Sequence, residues 1–119
     1  MNGGGIGMVI ELMYRDIPQL EINVGLPYVT SRWLTDNPIP IIPRTIWPEN
    51  INSDNYEEWI TSRVPDRTRA DIDLIMKRYD MPFWYPMGFI KKDHGVSVTD
   101  YLWMRIDGED LCYDDVRVR

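Results

Sequence analysis

A chain of 119 residues with a formal net charge of −6 has room for a single domain, and its charge has the wrong sign for direct binding to nucleic acid. The single cysteine, Cys112, excludes an intrachain disulfide and favours a cytoplasmic location, because paired cysteines are typical of oxidising compartments. The sequence contains no run of about 20 apolar residues, so it predicts no membrane span.

The N-terminal part of the chain predicts a flexible leader followed by a β-hairpin. Residues 1–7 are rich in glycine and lack the positive charge and the apolar run of a signal peptide. Residues 8–14 and 19–24 show the period-two pattern of apolar side chains that is typical of strands with one buried face. We therefore treat residues 8–119 as one domain that begins with this hairpin.

A short helix and an extended proline-rich segment are predicted after the hairpin. Thr30 or Ser31 can cap a helix that carries Trp33 and Leu34. Residues 38–43 include three prolines, each of which lacks an amide hydrogen and constrains the residue before it. We expect this segment to run extended, with its isoleucines packed inward.

Two further helices are predicted in the middle of the chain. One begins at Ser53 or Asp54 and ends before Pro65, and the next is capped by Asp66 and ends before Pro82. In the first of these helices, the side chains that share one face are Tyr56, Trp59, Ile60 and Arg63. In the second, the apolar side chains at helical spacing are Ile72, Ile75, Met76 and Tyr79.

The C-terminal third predicts a return to the sheet. A fourth, partly irregular helix runs from Phe83 to Lys91 and is stopped by Gly95. Residues 101–106 then form a strand, and residues 111–118 form a second strand or a short helical turn. The predicted fold class is α+β: a single small domain whose antiparallel sheet comes from N- and C-terminal hairpins, with three to four short helices on one face.

The sequence indicates no catalytic, metal or cofactor site. His94 is the only histidine, so a small hydrolase would need it as the base, and the neighbouring Asp93 is poorly placed to orient it. One histidine and one cysteine cannot supply a structural zinc site. We expect His94 at a helix end or on the surface, while a hydrolase using His94 and a structural oligomer subunit stay open as alternatives.

Two sets of side chains are candidates for binding a protein partner. The aromatic set is Phe83, Trp84 and Tyr85, which could equally fill the core. The acidic set could equally be an ordinary solvated surface, and its members are Asp107, Glu109, Asp110, Asp114 and Asp115. Carboxylates in this number suit a partner with a basic surface.

Four segments carry recognisable short motifs: Tyr14–Ile22, Arg32–Arg44 with its Ile39-Pro40 step, Gly95-Val96-Ser97-Val98-Thr99-Asp100-Tyr101-Leu102-Trp103, and Asp114-Asp115-Val116. Together they resemble the small N-terminal module, or stand-alone short protein, associated with HipA-like kinases of Gram-positive bacteria and their mobile elements. The chain departs from that pattern at two places: Leu102 separates Tyr101 from Trp103, which are adjacent aromatic residues in the family, and Cys112-Tyr113 replaces Trp-Glu. Because the kinase domain is absent, the resemblance implies a non-catalytic regulatory or docking module.

From these observations we expect a non-catalytic, protein-binding regulator from a bacterial mobile element or phage, which controls a partner enzyme. A second possibility is an acidic phage-type inhibitor of a nucleic-acid-handling defence enzyme, similar to an anti-CRISPR protein. Acidic side chains can occupy a basic groove that normally holds nucleic acid.

Overall fold

The structure, a computed structural model, describes residues 7–25 and 28–118. The centre of this part of the chain is a four-stranded antiparallel sheet. Residues 1–6, and with them most of the predicted leader, lie outside the described residues. The strands follow the order β3-β2-β1-β4 across the sheet and comprise β1 (Met8–Tyr14), β2 (Ile17–Val24), β3 (Val29–Trp33) and β4 (Leu102–Ile106). The predicted α+β fold class is confirmed.

The N-terminal hairpin forms as predicted, with a tighter turn. β1 pairs antiparallel with β2 from Met8 opposite Val24 to Tyr14 opposite Ile17, so only two residues connect the strands. A bulge lies where the register shifts after Leu12, and it leaves Gln19 without a partner in the ladder. The buried Gln19 side chain instead accepts a hydrogen bond from the backbone of Ile39 at 2.9 Å.

The predicted helix around Trp33 is wrong, because this segment is strand β3. It pairs with the free edge of β2, with Val29 opposite Val24 and Trp33 opposite Leu20. The Ser31 hydroxyl donates to the carbonyl of Ile46 at 2.9 Å and does not cap a helix. Pairing along an available sheet edge satisfies a row of backbone groups, and this outweighs the local capping signal.

The predicted C-terminal hairpin does not form within the described residues, because only its first strand joins the sheet. β4 pairs antiparallel with β1, with Ile106 opposite Ile10 and Leu102 opposite Tyr14. Of the two alternatives for residues 111–118, the short helical turn is the one that forms, as α4 (Tyr113–Val116).

The remaining helices are α1 (Ser53–Ser62), α2 (Ile72–Arg78) and α3 (Pro86–Asp93). Of these, α1 begins at Ser53 as predicted, whereas α2 and α3 begin later than the sequence pattern predicts. The N-cap of α1 is Asn52, whose side chain accepts from the amide of Asn55 at 2.8 Å. Asp66 caps a turn and not a helix: its carboxylate accepts from the amide and the hydroxyl of Thr68, which lowers the pKa of Asp66. α2 therefore starts six residues after Asp66.

The proline-rich segment does not run fully extended. It turns back on itself where the amide of Ile42 approaches the carbonyl of Ile39 at 3.3 Å, and it continues into a 3-10 turn at Arg44–Ile46. Ile42 is buried, whereas Ile41 is exposed, so only part of the expected inward packing occurs.

One face of the sheet carries the core. The buried side chains of α1 and α3 that join the core cluster are Tyr56, Trp59, Ile60 and Ile90. Those that meet them from the strands include Ile10, Leu12, Leu20, Ile22 and Met104. None of the helices within residues 7–25 and 28–118 has the length and apolar character that crossing a membrane requires.

Candidate partner-binding surfaces

A nearly buried arginine organises the region around the C-terminal motif. The Arg63 guanidinium, at the C-cap of α1, grips the Asp100 carboxylate at 2.7 and 3.1 Å. It also donates to the carbonyl of Gly95 at 3.0 Å and to that of Leu102 at 2.9 Å. Only 8 % of the Arg63 side chain is exposed. Arg63 thus ties both ends of one loop to helix α1.

That loop, residues 95–101, is here named the motif loop. Gly95 has a φ of +67°, a left-handed conformation that favours glycine, and its amide donates to the Asp93 carboxylate at 2.8 Å. Within the loop the amide of Thr99 donates to the Ser97 hydroxyl at 3.1 Å. These bonds hold Val98 outward: with 81 % of its surface exposed, it is the most exposed large apolar side chain in the described residues.

On one side the motif loop borders a depression lined by both polar and apolar side chains, which we name the C-terminal groove. Its volume is about 290 Å³ and its lining comprises Ser97, Val98, Thr99, Asp100, Tyr101, Tyr113 and Val118. The Tyr101 ring lies edge-to-face with those of Tyr14 and Tyr113, at centroid distances of 5.8 and 6.1 Å. The Arg15 guanidinium sits 4.1 Å from the centre of the Tyr101 ring. The groove therefore lies between the motif loop and α4, and Arg15 of the β1–β2 turn contacts its Tyr101 side chain.

On its other side the motif loop borders a polar cavity of about 570 Å³. Tyr79 donates a hydrogen bond to the Asp93 carboxylate at 2.8 Å at the wall of this cavity. Burial raises the pKa of Asp93, and burial together with Asp93 raises the pKa of Tyr79 to about 12. Trp59 also lines the cavity, and its indole nitrogen is buried without a hydrogen-bond partner among the described residues.

His94 lies at the end of α3, as the sequence predicts. It is the C-cap of that helix, with a φ of 59°, and its Nε2 lies 3.1 Å from the carboxylate of Glu109. The other oxygen of Glu109 accepts from the amide of Ile106 at 2.8 Å. His94 therefore connects the end of α3 to the turn after β4.

The five predicted acidic residues do not form one uniform patch. Several accept local hydrogen bonds: Asp107 from the amide of Val9 at 2.8 Å, Glu109 as above, and Asp115 from the amide of Cys112 at 2.9 Å. Asp114 lies 3.5 Å from Arg117, and Asp110 is exposed. These carboxylates stabilise the turn and the start of α4 as well as adding charge to the surface.

Of the predicted aromatic set, Trp84 packs inward, whereas Phe83 and Tyr85 are exposed. Trp84 is partly buried, donates to the carbonyl of Pro65 at 3.0 Å and has the Arg67 guanidinium 5.2 Å from its ring centre. Phe83 and Tyr85 are 62 % and 40 % exposed, and their ring centroids are 5.1 Å apart. We name Phe83 and Tyr85 the aromatic pair.

Sequence reasoning missed the contribution of Arg63, Val98, Tyr113 and Val118 to these surfaces. The signal for Arg63 was present, because a cation on the apolar face of a helix needs a buried partner. The partner, Asp100, is 37 residues away, and no local pattern identifies it.

No protein-family model matches the chain, and neither a curated protein nor a solved structure matches it. Within residues 7–25 and 28–118, no group of three or more His, Cys, Asp or Glu side chains is arranged to hold a metal ion.

Proposed function

We propose that this chain is a non-catalytic, protein-binding regulator that controls a partner enzyme. The aromatic pair carries the proposal. The rings of Phe83 and Tyr85 lie against each other at the surface, with their planes inclined by 31°, while the neighbouring Trp84 fixes the backbone between them. Adjacent exposed aromatic rings are unusual on a surface that contacts only water, and aromatic side chains dominate the binding energy of many interfaces.

The proposed partner has a basic surface. The chain carries a net charge of −6, and residues 107–118 contain five carboxylates against one arginine. Such a surface accelerates association with a basic protein and disfavours acidic competitors. A cytoplasmic location and an origin in a bacterial mobile element or phage, as the motif resemblance implies, belong to the same proposal.

The test is a capture experiment with a matched control. The immobilised chain is exposed to bacterial lysate, alongside the double variants Phe83→Ser/Tyr85→Ser and Ile17→Ser/Tyr28→Ser. Ile17 and Tyr28 are exposed apolar residues elsewhere on the surface, so the second variant removes comparable area.

We expect one dominant protein on the wild type and on the control, and at least tenfold less on the Phe83/Tyr85 variant, since truncating a central aromatic residue costs about 2 kcal/mol of binding. Equal retention by the two variants, or no retained protein on the wild type, would contradict the proposal.

The acidic-inhibitor alternative is favoured by the carboxylates of residues 107–118. A partner whose nucleic-acid groove is filled by acidic side chains should lose affinity steeply as salt rises. Binding through the aromatic pair should change little over the same range. Salt dependence of the captured complex therefore separates the two.

A hydrolase that uses His94 receives less support from the geometry. The imidazole hydrogen-bonds a carboxylate that is itself tied to the backbone of Ile106, and only 14 % of the His94 side chain is exposed. A general base must reach a nucleophile and a substrate.

A further inference from the structure

The two outer edges of the sheet differ in how their backbone groups are satisfied. At the β4 edge, Asp107 hydrogen-bonds Val9 across the ladder with β1, so the alternate residues 102, 104 and 106 point their amides away from β1. Each of these amides has an acceptor at 2.8 to 3.0 Å from another part of the chain: Asp100 for Leu102, the carbonyl of His94 for Met104, and Glu109 for Ile106. Another strand could reach this edge only by displacing those bonds.

The β3 edge, in contrast, is open. The amide of Leu34 donates to the carbonyl of Gln19 on β2 at 2.9 Å. Because the direction of hydrogen bonding alternates along an antiparallel strand, residues 30 and 32 also face β2. The amides and carbonyls of Val29, Ser31 and Trp33 therefore point outward, and they have no hydrogen-bond partner within residues 7–25 and 28–118.

Strand β3 also lacks the features that usually prevent pairing at a sheet edge, namely bulges, prolines and several charges. Its register with β2 is continuous, and its sequence contains no proline. Its single charge, Arg32, is already bound to the Glu21 carboxylate at 2.8 and 3.1 Å. A row of outward amides and carbonyls is matched by the backbone of another extended strand.

The β3 edge is complementary to a second copy of itself. When two copies lie antiparallel around a two-fold axis at Ser31, the outward groups of Val29 meet those of Trp33 in the second copy. The exposed Arg32 then lies opposite the exposed, uncharged Thr30 of the second copy. A two-fold axis at Arg32 would instead place two arginines opposite each other, which is unfavourable. The register centred on Ser31 therefore uses all three outward residues without opposing like charges.

We propose that β3 is a dimerisation strand, through which two copies of this chain pair antiparallel over Val29–Trp33 and join their sheets into one. A contact built on five-residue strands covers a small area, so the dimer forms at high protein concentration. This assignment goes beyond the proposed function, because it uses neither residue of the aromatic pair.

The first test measures dimerisation of the full chain by sedimentation velocity over a concentration series. We expect the wild type to shift from the 14.1 kDa of one chain towards twice that mass. Thr30→Arg places an arginine opposite Arg32 at two points of the dimer and should weaken it about tenfold, whereas Thr30→Glu should strengthen it. Because the chain carries a net charge of −6, a nonspecific effect of charge on self-association would have the opposite sign.

Matched controls come from Thr61, an exposed threonine on α1. Thr61→Arg and Thr61→Glu change the net charge by the same amounts, and neither should reproduce the response expected at Thr30.

The second test needs no variant and follows amide hydrogen exchange in the wild type by nuclear magnetic resonance. Exchange at Val29, Ser31 and Trp33 should slow as protein concentration rises, because their amides gain acceptors in the dimer. Exchange at Thr30 and Arg32 should stay the same, since their amides already face β2.

Three results would overturn the assignment: a wild type that stays monomeric up to about 1 mM, Thr30 variants that both change the dimer in the same direction, or exchange at Ser31 and Trp33 that is independent of concentration. The capture experiment with the Phe83/Tyr85 variant is read separately, so failure of the dimer and failure of the proposed function are distinguishable.

Discussion

Replacing Arg63 by methionine should destabilise the protein strongly. Methionine keeps an aliphatic stem beside Trp59, whose ring centre lies 5.4 Å from the guanidinium, and removes the charged group itself. The substitution removes the guanidinium donor from the carbonyls of Gly95 and Leu102, and it leaves the Asp100 carboxylate with the amide of Leu102 as its donor.

The magnitude follows from the burial of this pair. Removing one member of a buried ion pair costs about 3–5 kcal/mol. The Asp100 side chain is 23 % exposed and regains some hydration, which places the expected loss near the lower end, at about 3 kcal/mol. For a chain of this length, such a loss lowers Tm by about 12 °C.

Thermal unfolding followed by circular dichroism measures this effect, with Arg32→Met as the matched control. Arg32 also grips a carboxylate, that of Glu21, at 2.8 and 3.1 Å, but 65 % of its side chain is exposed. Solvent screens such a pair, so Tm should change by less than about 2 °C. If Arg63→Met lowers Tm no more than Arg32→Met does, the Arg63 contacts do not hold the motif loop, and the reasoning is refuted.

Two further predictions concern the same region. Gly95→Ala should lower Tm more than Gly108→Ala, although both glycines have a positive φ. A Cβ at Gly95 would lie 2.5 Å from the Cε of Met104, whereas none of the described atoms lies within 4 Å of a Cβ at Gly108. Similar losses in the two variants would contradict the packing described for the loop.

The Tm of Asp93→Asn minus that of the wild type should increase as pH rises from about 3 to about 7, because only the wild type loses stability over this range. Burial raises the folded-state pKa of Asp93 above its ordinary 3.8, so the stability that Asp93 contributes is fully present below that value and is lost as pH rises through the folded pKa. A difference in Tm that stays constant over this range would count against it.

Local pattern predicted those parts of the fold that depend on neighbouring residues. The β1–β2 hairpin follows from the alternation of apolar residues, and the position of His94 follows from its place before Gly95 at the end of a helix. Strand β3 was missed because Thr30 and Ser31 suit a helix cap equally well, and the free edge of β2 decides between the two structures.

The candidate surfaces were predictable only in part. The aromatic run was visible in the sequence, but the way in which Trp84 turns inward to Pro65 while Phe83 and Tyr85 turn outward depends on tertiary contacts. Val96 and Val98 alternate as they would in a strand. In the structure this segment is a loop, in which local hydrogen bonds such as Thr99 to Ser97 act together with the nonlocal pairing of Arg63 with Asp100, and Val98 is exposed.

The central claim is that this chain acts by binding a protein through Phe83 and Tyr85. The most direct measurement is the equilibrium affinity of the purified captured partner for the wild type, the Phe83→Ser/Tyr85→Ser variant and the Ile17→Ser/Tyr28→Ser control, by isothermal titration calorimetry. The account predicts a Kd at least tenfold weaker for the Phe83/Tyr85 variant and an unchanged Kd for the control. An unchanged Kd for the Phe83/Tyr85 variant, with its Tm intact, would contradict it.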